Sequence, residues 1–231
     1  MAIKISFMGE RCYDLIHYIS RIIYHMGNKV LLIDQSARDD RSLECSIPIP
    51  VGIEEGHTVD YSGVSYSPKY FEKYEGEYDY ILMYYGSTYV ATKLQSHWQY
   101  VICNSESNSI RNAKINCSRG SLYTLPLKEQ SEGVEERFDN TIPVLLYLDL
   151  ITNQKMLIEH ELAVPTSNIK SCELSLGDYE LRLKCQYDSA IKFTKISQDY
   201  KAIVKECCLS ILGKDEDKTF LQAYKEAERG R

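Results

Sequence analysis

"AIKISFMGERCYDLIHYISRIIYHMGNKVLLID", residues 2–34, changes its hydrophobic period twice. Residues 2–9 are a short β-rich run that stops at Gly9. Leu15, Ile16, Ile19, Ile22, Ile23 and Met26 then recur at helical spacing until Gly27. "VLLI" (residues 30–33) is continuously apolar, as in a strand buried on both faces of a parallel sheet. Strand, helix and strand in this order make a βαβ unit, which predicts a parallel sheet.

The same alternation continues along the chain. Residues 36–50 read as a loop, and "HTVDYSGVSYS" (57–67) as an antiparallel hairpin around Ser62 and Gly63, decorating an edge. "YDYILMYYG" (78–86) is a central strand, "TYVATKLQSHW" (88–98) a helix, and "QYVICNS" (99–105) a strand. "ESNSIRNAKIN" (106–116) is a helix opening at Ser105 as cap with Glu106 after it. Residues 118–140 carry little pattern and end in an acidic stretch, read as an exposed helix or loop. "TIPVLLYLDL" (141–150) is a strand and "NQKMLIEHEL" (153–162) a helix. "IKSCELS" (169–175) and "YELRLKCQY" (179–187) both alternate as strands, and residues 196–231 are helical apart from a break at Gly213. The expected fold is α/β: one domain over residues 1–231, with a doubly wound, mainly parallel sheet flanked by helices, closing in C-terminal helices over 196–231.

The 231 residues suffice for a substantial core. Lys and Arg number 27 against 33 Asp and Glu, a formal charge of −6, which argues against a nucleic-acid footprint. No run of ~18 apolar residues is present to span a bilayer, so a cytoplasmic protein without an integral membrane segment is expected. The eight cysteines are scattered through apolar segments and read as reduced thiols. Neither they nor the five histidines show zinc-ligand spacing, so no metal is expected.

Three blocks in order, "GNKVLLID" (27–34), "EYDYILMYYG" (77–86) and "YVICNSESNSIRNAKI" (100–115), resemble the MinD/ParA family of P-loop ATPases. "KISQDYKAIVKECCLSIL" (195–212) is similar in character to that family's closing helix. A narrower resemblance is to the MinD-like proteins of Tad/Flp pilus and secretion gene clusters. The resemblance implies a P-loop fold, a nucleotide site after the first strand, and dimerisation face to face across that site. Here the corresponding surface is residues 9–14 with residues 34–40.

The motif residues themselves depart from the family. A phosphate loop needs consecutive glycines whose N–H groups surround the anion, a Lys for the β/γ-phosphates, and a Ser or Thr hydroxyl for Mg²⁺. Gly9 is followed instead by Glu10, Arg11, Cys12, Tyr13 and Asp14, with two carboxylates where polyphosphate would bring its own charge. The family's metal-holding acid falls on Tyr84 of the second block, while Asp34 matches the acid ending the second strand. The expectation is a degenerate P-loop protein that has lost ATPase chemistry and uses no cofactor. It would act as a scaffold or positioning subunit through protein partners, including a second copy of itself. The alternative is a protein that binds a nucleotide or another small ligand through a rebuilt loop using Arg11, Asp34 and backbone N–H groups. A third reading is an unrelated dinucleotide-type fold, which strand order distinguishes.

Individual residues carry two readings each. Arg11 would contact phosphate or simply pair with Glu10 or Asp14. Cys12 would be a reactive helix-start thiol or a packed one. Asp14 and Asp34 would form a carboxylate pair at the sheet edge, or Asp14 would be an ordinary first-turn acid. Tyr84 and Tyr85 would stack on a partner or fill a vacated cavity. Ser105, Glu106 and Arg111 would face a partner or only cap and solvate their helix, and the acidic residues 129–139 would meet a basic partner or only water.

Overall fold

The computed structural model of the protein describes residues 2–10, 13–36, 56–86, 95–118, 144–149, 168–188 and 193–230. The opening stretch folds as its periods dictate: β1 (Ile3–Gly9), α1 (Tyr13–His25) and β2 (Val30–Asp34). Gly27, at φ +89°, lets the chain leave α1 through a left-handed residue that a side chain would disfavour. The hairpin follows as β3 (Val59–Tyr61) and β4 (Val64–Ser67), then a single helical turn α2 (Tyr74–Glu77), β5 (Tyr80–Tyr84), β6 (Trp98–Cys103) and α3 (Ser107–Ser118). β7 (Val144–Asp149), β8 (Ile169–Glu173), α4 (Leu176–Asp188), α5 (Gln198–Leu212) and α6 (Lys218–Arg229) complete the described elements.

These strands form one sheet in the order β3-β4-β2-β5-β1-β6-β7-β8, parallel throughout except for the β3–β4 hairpin at the edge. β5 lies between β1 and β2. In a dinucleotide-binding sheet the first two strands are neighbours, so this order rules out that reading. Within each strand the side chains alternate between two cores. Ile5, Phe7, Leu32, Leu82, Tyr84, Tyr100 and Leu146 face the layer of α1, α4, α5 and α6. Met8, Leu31, Ile33, Ile81, Met83, Tyr85 and Val101 face the layer that holds Tyr74 of α2 and Ala113 of α3. Covering on both faces explains why β2 and β5 read as unbroken apolar runs.

The sequence reading of residues 179–187 as a strand is corrected: they lie in α4. A reciprocal cap starts this helix. The Asp178 N–H donates to Ser175 Oγ at 3.2 Å, and the Ser175 N–H donates to the Asp178 carboxylate at 2.8 Å. Leu181 and Cys185, four apart, are then buried on one side, while Leu183 of the apparent alternation is left in solvent. The helix expected over 88–98 lies mostly outside the described residues, and its last residue, Trp98, begins β6. The readings for 37–50, 119–140 and 153–162 fall outside the described residues. At the C-terminus, Ser197 caps α5, Gly213 ends it in a left-handed conformation, and Asp217 caps α6.

Candidate functional site

The C-terminal ends of β2, β5, β1 and β6 lie side by side, the edge at which open α/β sheets hold ligands. Register places Tyr84 directly between Phe7 and Asp34. The backbone closes this edge tightly: Gln35 N–H donates to Tyr84 O at 2.7 Å, Tyr85 N–H to Phe7 O at 2.9 Å, and Gly9 N–H to Gly86 O at 2.9 Å. Glu10 N–H donates to Ile102 O at 3.0 Å. Gly9 sits at φ +106°, and a Cβ there would stand 1.9 Å from Ile102 O. Glycine is therefore required by the approach of β6 as well as by the backbone angle.

Among the residues singled out from sequence, Gly9, Glu10, Asp34 and Tyr84 come together on this edge, while Arg11 and Cys12 lie outside the described residues. No more than three residues separate β1 from α1, whereas a phosphate loop of the form G-x-x-x-x-G-K-[ST] wraps an anion with a longer backbone segment. The Gly9 and Glu10 N–H groups, which in such a loop would face an anion, are engaged by sheet carbonyls. Tyr84 is fully buried in the same core as Phe7, Tyr13 and Tyr100, and Tyr85 belongs to the opposite core, so both tyrosines pack the interior. Asp34 is buried, and its Oδ1 accepts from the Ser36 N–H at 3.0 Å and from the Ser36 hydroxyl.

Asp14 stands in the first turn of α1, as one reading had it, but it is only 1% exposed, and the partners that hold it are on α4 and α5. Arg182 Nε of α4 stands 3.0 Å from its Oδ1, and the Tyr200 hydroxyl of α5 donates to its Oδ2 at 2.8 Å. The Tyr13 hydroxyl donates to the Arg182 carbonyl at 3.0 Å, binding the start of α1 to the same helix. One turn along α1, Tyr18 stacks on Phe193 at 4.4 Å and meets Tyr200 edge-on. Burial would lower the Arg182 pKa, but Asp14 and Tyr200 outweigh it and hold it above its ordinary value. Burial, reinforced by the Asp14 charge, raises the Tyr200 phenol well above its ordinary range, so it remains a donor.

Arg182 and Tyr200 were missed from the sequence. The S-L-G-D cap at residues 175–178 was the available signal, because a helix starting there places Arg182 one turn beyond the buried Asp178. Cys103, Cys172, Cys185, Cys207 and Cys208 are buried free thiols and Cys117 is half-buried. Burial, aided by nearby carboxylates, pushes the Cys172 thiol up to about 12. Among the described residues, no group of three His, Cys, Asp or Glu side chains is arranged to hold a metal, and no helix is long and apolar enough to cross a membrane.

No family model matches the sequence, and no curated protein matches it. Solved structures do resemble it. The ParA family ATPase of Chlorobium tepidum superposes with a TM-score of 0.58 at 13% identity, over 88% of this chain and 96% of that one. The MinD cell division protein of Aquifex aeolicus gives 0.60 at 15% identity, over 94% of this chain and 99% of that one. The same organism's MinD in its complex with MinC also gives 0.60 at 15% identity, over 94% and 98%. These likenesses span nearly the whole length of both chains, and with the placement of β5 between β1 and β2 they show one thing about this protein: it has the P-loop fold of the MinD and ParA ATPases.

Proposed function

We propose that this protein is a non-catalytic variant of the MinD/ParA fold, a scaffold or positioning subunit that works by binding protein partners. The observation that carries the proposal is the turn after β1. No more than three residues part β1 from α1, the stretch contains no lysine, its Gly9 and Glu10 N–H groups are bonded to the carbonyls of Gly86 and Ile102, and Glu10 adds negative charge. Two further features support the reading. Tyr84 occupies the place of the metal-holding acid as a core side chain. The carboxylate at the start of α1 is neutralised internally by Arg182.

One fold serves many functions, so a MinD/ParA scaffold can serve binding alone. The C-terminal edge of β1 and β2 is where the partner would sit, on the segments 9–14 and 34–40 that the resemblance implies. The MinD structure solved with MinC is a protein of this fold carrying a protein partner. The blocks that resemble Tad/Flp-associated proteins support a pilus or secretion assembly as the setting. Phosphate release from Mg·ATP by purified protein tests the non-catalytic reading. The expected rate equals that of buffer alone. Turnover that Asp34→Ala abolishes would make the protein an ATPase.

A further inference from the structure

We infer that the cleft at the N-terminal end of β2 is a small-molecule site for a basic amino acid, a zwitterion that carries a second cationic group. The cleft lies at the end of the sheet opposite the C-terminal strand edge and has a volume of about 670 Å³, within the range of small-ligand sites. Three parts of the chain wall it. Tyr24 stands near the end of α1 and Lys29 just before β2, Asp60 and Gly63 belong to the β3–β4 hairpin, and Glu77 and Tyr78 join α2 to β5.

Local contacts fix these walls. The Lys29 N–H donates to Asp79 Oδ2 at 2.8 Å and the Asp79 N–H to Lys29 O at 2.9 Å, which ties the approach to β2 to the approach to β5. The Gly63 N–H donates to Asp60 Oδ1 at 3.1 Å. The Tyr24 ring lies against Gly63, where a Cβ would stand 2.1 Å from it, so the glycine admits the tyrosine over the hairpin turn.

The charges select the ligand. Lys29, Asp60 and Glu77 line this one cavity, yet among the described residues none of the three is in an ion pair. Opposite charges that share a cavity without pairing can be bridged by a ligand bearing both signs. With His25 neutral, two carboxylates face one ammonium, and the C-terminal end of α1 adds partial negative charge. The match is a ligand with one carboxylate, for Lys29, and two cationic groups, for Asp60 and Glu77. Tyr24 and Tyr78 supply aromatic surface on which a guanidinium stacks. No residue of the cleft belongs to the segments 9–14 or 34–40, so this site and the partner surface of the proposed function can fail separately.

Calorimetric titration of the full chain at neutral pH with L-arginine, and with agmatine, which lacks only its carboxylate, is the test. Arginine is expected to bind saturably and at least ~tenfold more tightly than agmatine. Lys29→Met should erase that preference while leaving agmatine unchanged. Asp60→Asn with Glu77→Gln should weaken both ligands by ~tenfold or more, whereas Glu72→Gln, an exposed carboxylate outside the cleft, should change neither. Absence of saturable heat with arginine, equal affinity for the two ligands, a preference that survives Lys29→Met, or binding indifferent to the Asp60 and Glu77 substitutions would overturn the inference.

Discussion

The Tyr200 hydroxyl and the Asp14 carboxylate lie 186 residues apart in sequence and 2.8 Å apart in the fold. Their hydrogen bond, with Arg182 on the other carboxylate oxygen, ties the start of α1 to α4 and α5. Removing one partner from a buried ion pair leaves a charge without compensation. Arg182→Ala is therefore expected to cost about 3–5 kcal/mol in urea denaturation, and Tyr200→Phe about 1.5–3 kcal/mol. Asp14→Leu combined with Arg182→Leu should recover most of the loss, because both charges leave together.

Gly9 and Gly27 both have positive φ, yet their substitutions should differ. A Cβ on Gly27 meets nothing within 4 Å, so Gly27→Ala is expected to cost only the backbone strain of about 1–2 kcal/mol. At Gly9 the same strain is joined by a clash with the Ile102 carbonyl. Gly9→Ala should cost more than ~3 kcal/mol, measured by the shift in denaturation midpoint between the two variants.

Acid should weaken the fold through the foot of β1. His97 Nδ1 accepts the Lys4 N–H at 2.9 Å, so the bond requires a neutral ring. Burial first, and the Lys4 charge second, lower the His97 pKa below its ordinary value of about 6.5. Between those two values the unfolded chain binds the proton and the native chain does not, so stability falls as pH drops below ~6.5. Glu75 adds to this at lower pH: hydrogen bonds from Lys4 and then Tyr70 depress its pKa, and its contribution is lost as pH falls through that depressed value. Urea midpoints across pH 5–8 should slope downward on acidification in wild type, and His97→Asn should flatten the slope in the upper part of that range.

The reciprocal cap of α4 gives a fourth expectation. Ser175→Ala should cost about 0.5–2 kcal/mol. Asp178→Ala should cost more, because its second oxygen also accepts the Ser197 N–H and joins α4 to the start of α5. Hydrogen exchange should show the Ser197 amide losing protection in Asp178→Ala and keeping it in Ser175→Ala.

Much of the sheet was legible because burial on both faces forces unbroken apolar runs, as in β2 and β5, and burial against one helix forces the spacing of α1. α4 was not, for a physical reason. Tyr179, Leu181, Leu183 and Cys185 alternate like a strand, and only the local cap at Ser175 and Asp178 overrides the pattern. At the site, Gly9, Asp34 and Tyr84 were readable from their places at strand ends. Asp14 was visible as a residue but not as a buried ion, because Arg182 and Tyr200 reach it only through the packing of α4 and α5 on α1.

Calorimetric titration of the purified chain with ATP and ADP in the presence of Mg²⁺, alongside Arg11→Ala and Asp34→Ala, tests the loss of nucleotide chemistry most directly. The account predicts no binding heat up to millimolar nucleotide for any of the three proteins. Micromolar binding to wild type that either substitution abolishes would contradict it and show that the short turn after Gly9 had been rebuilt as a ligand site.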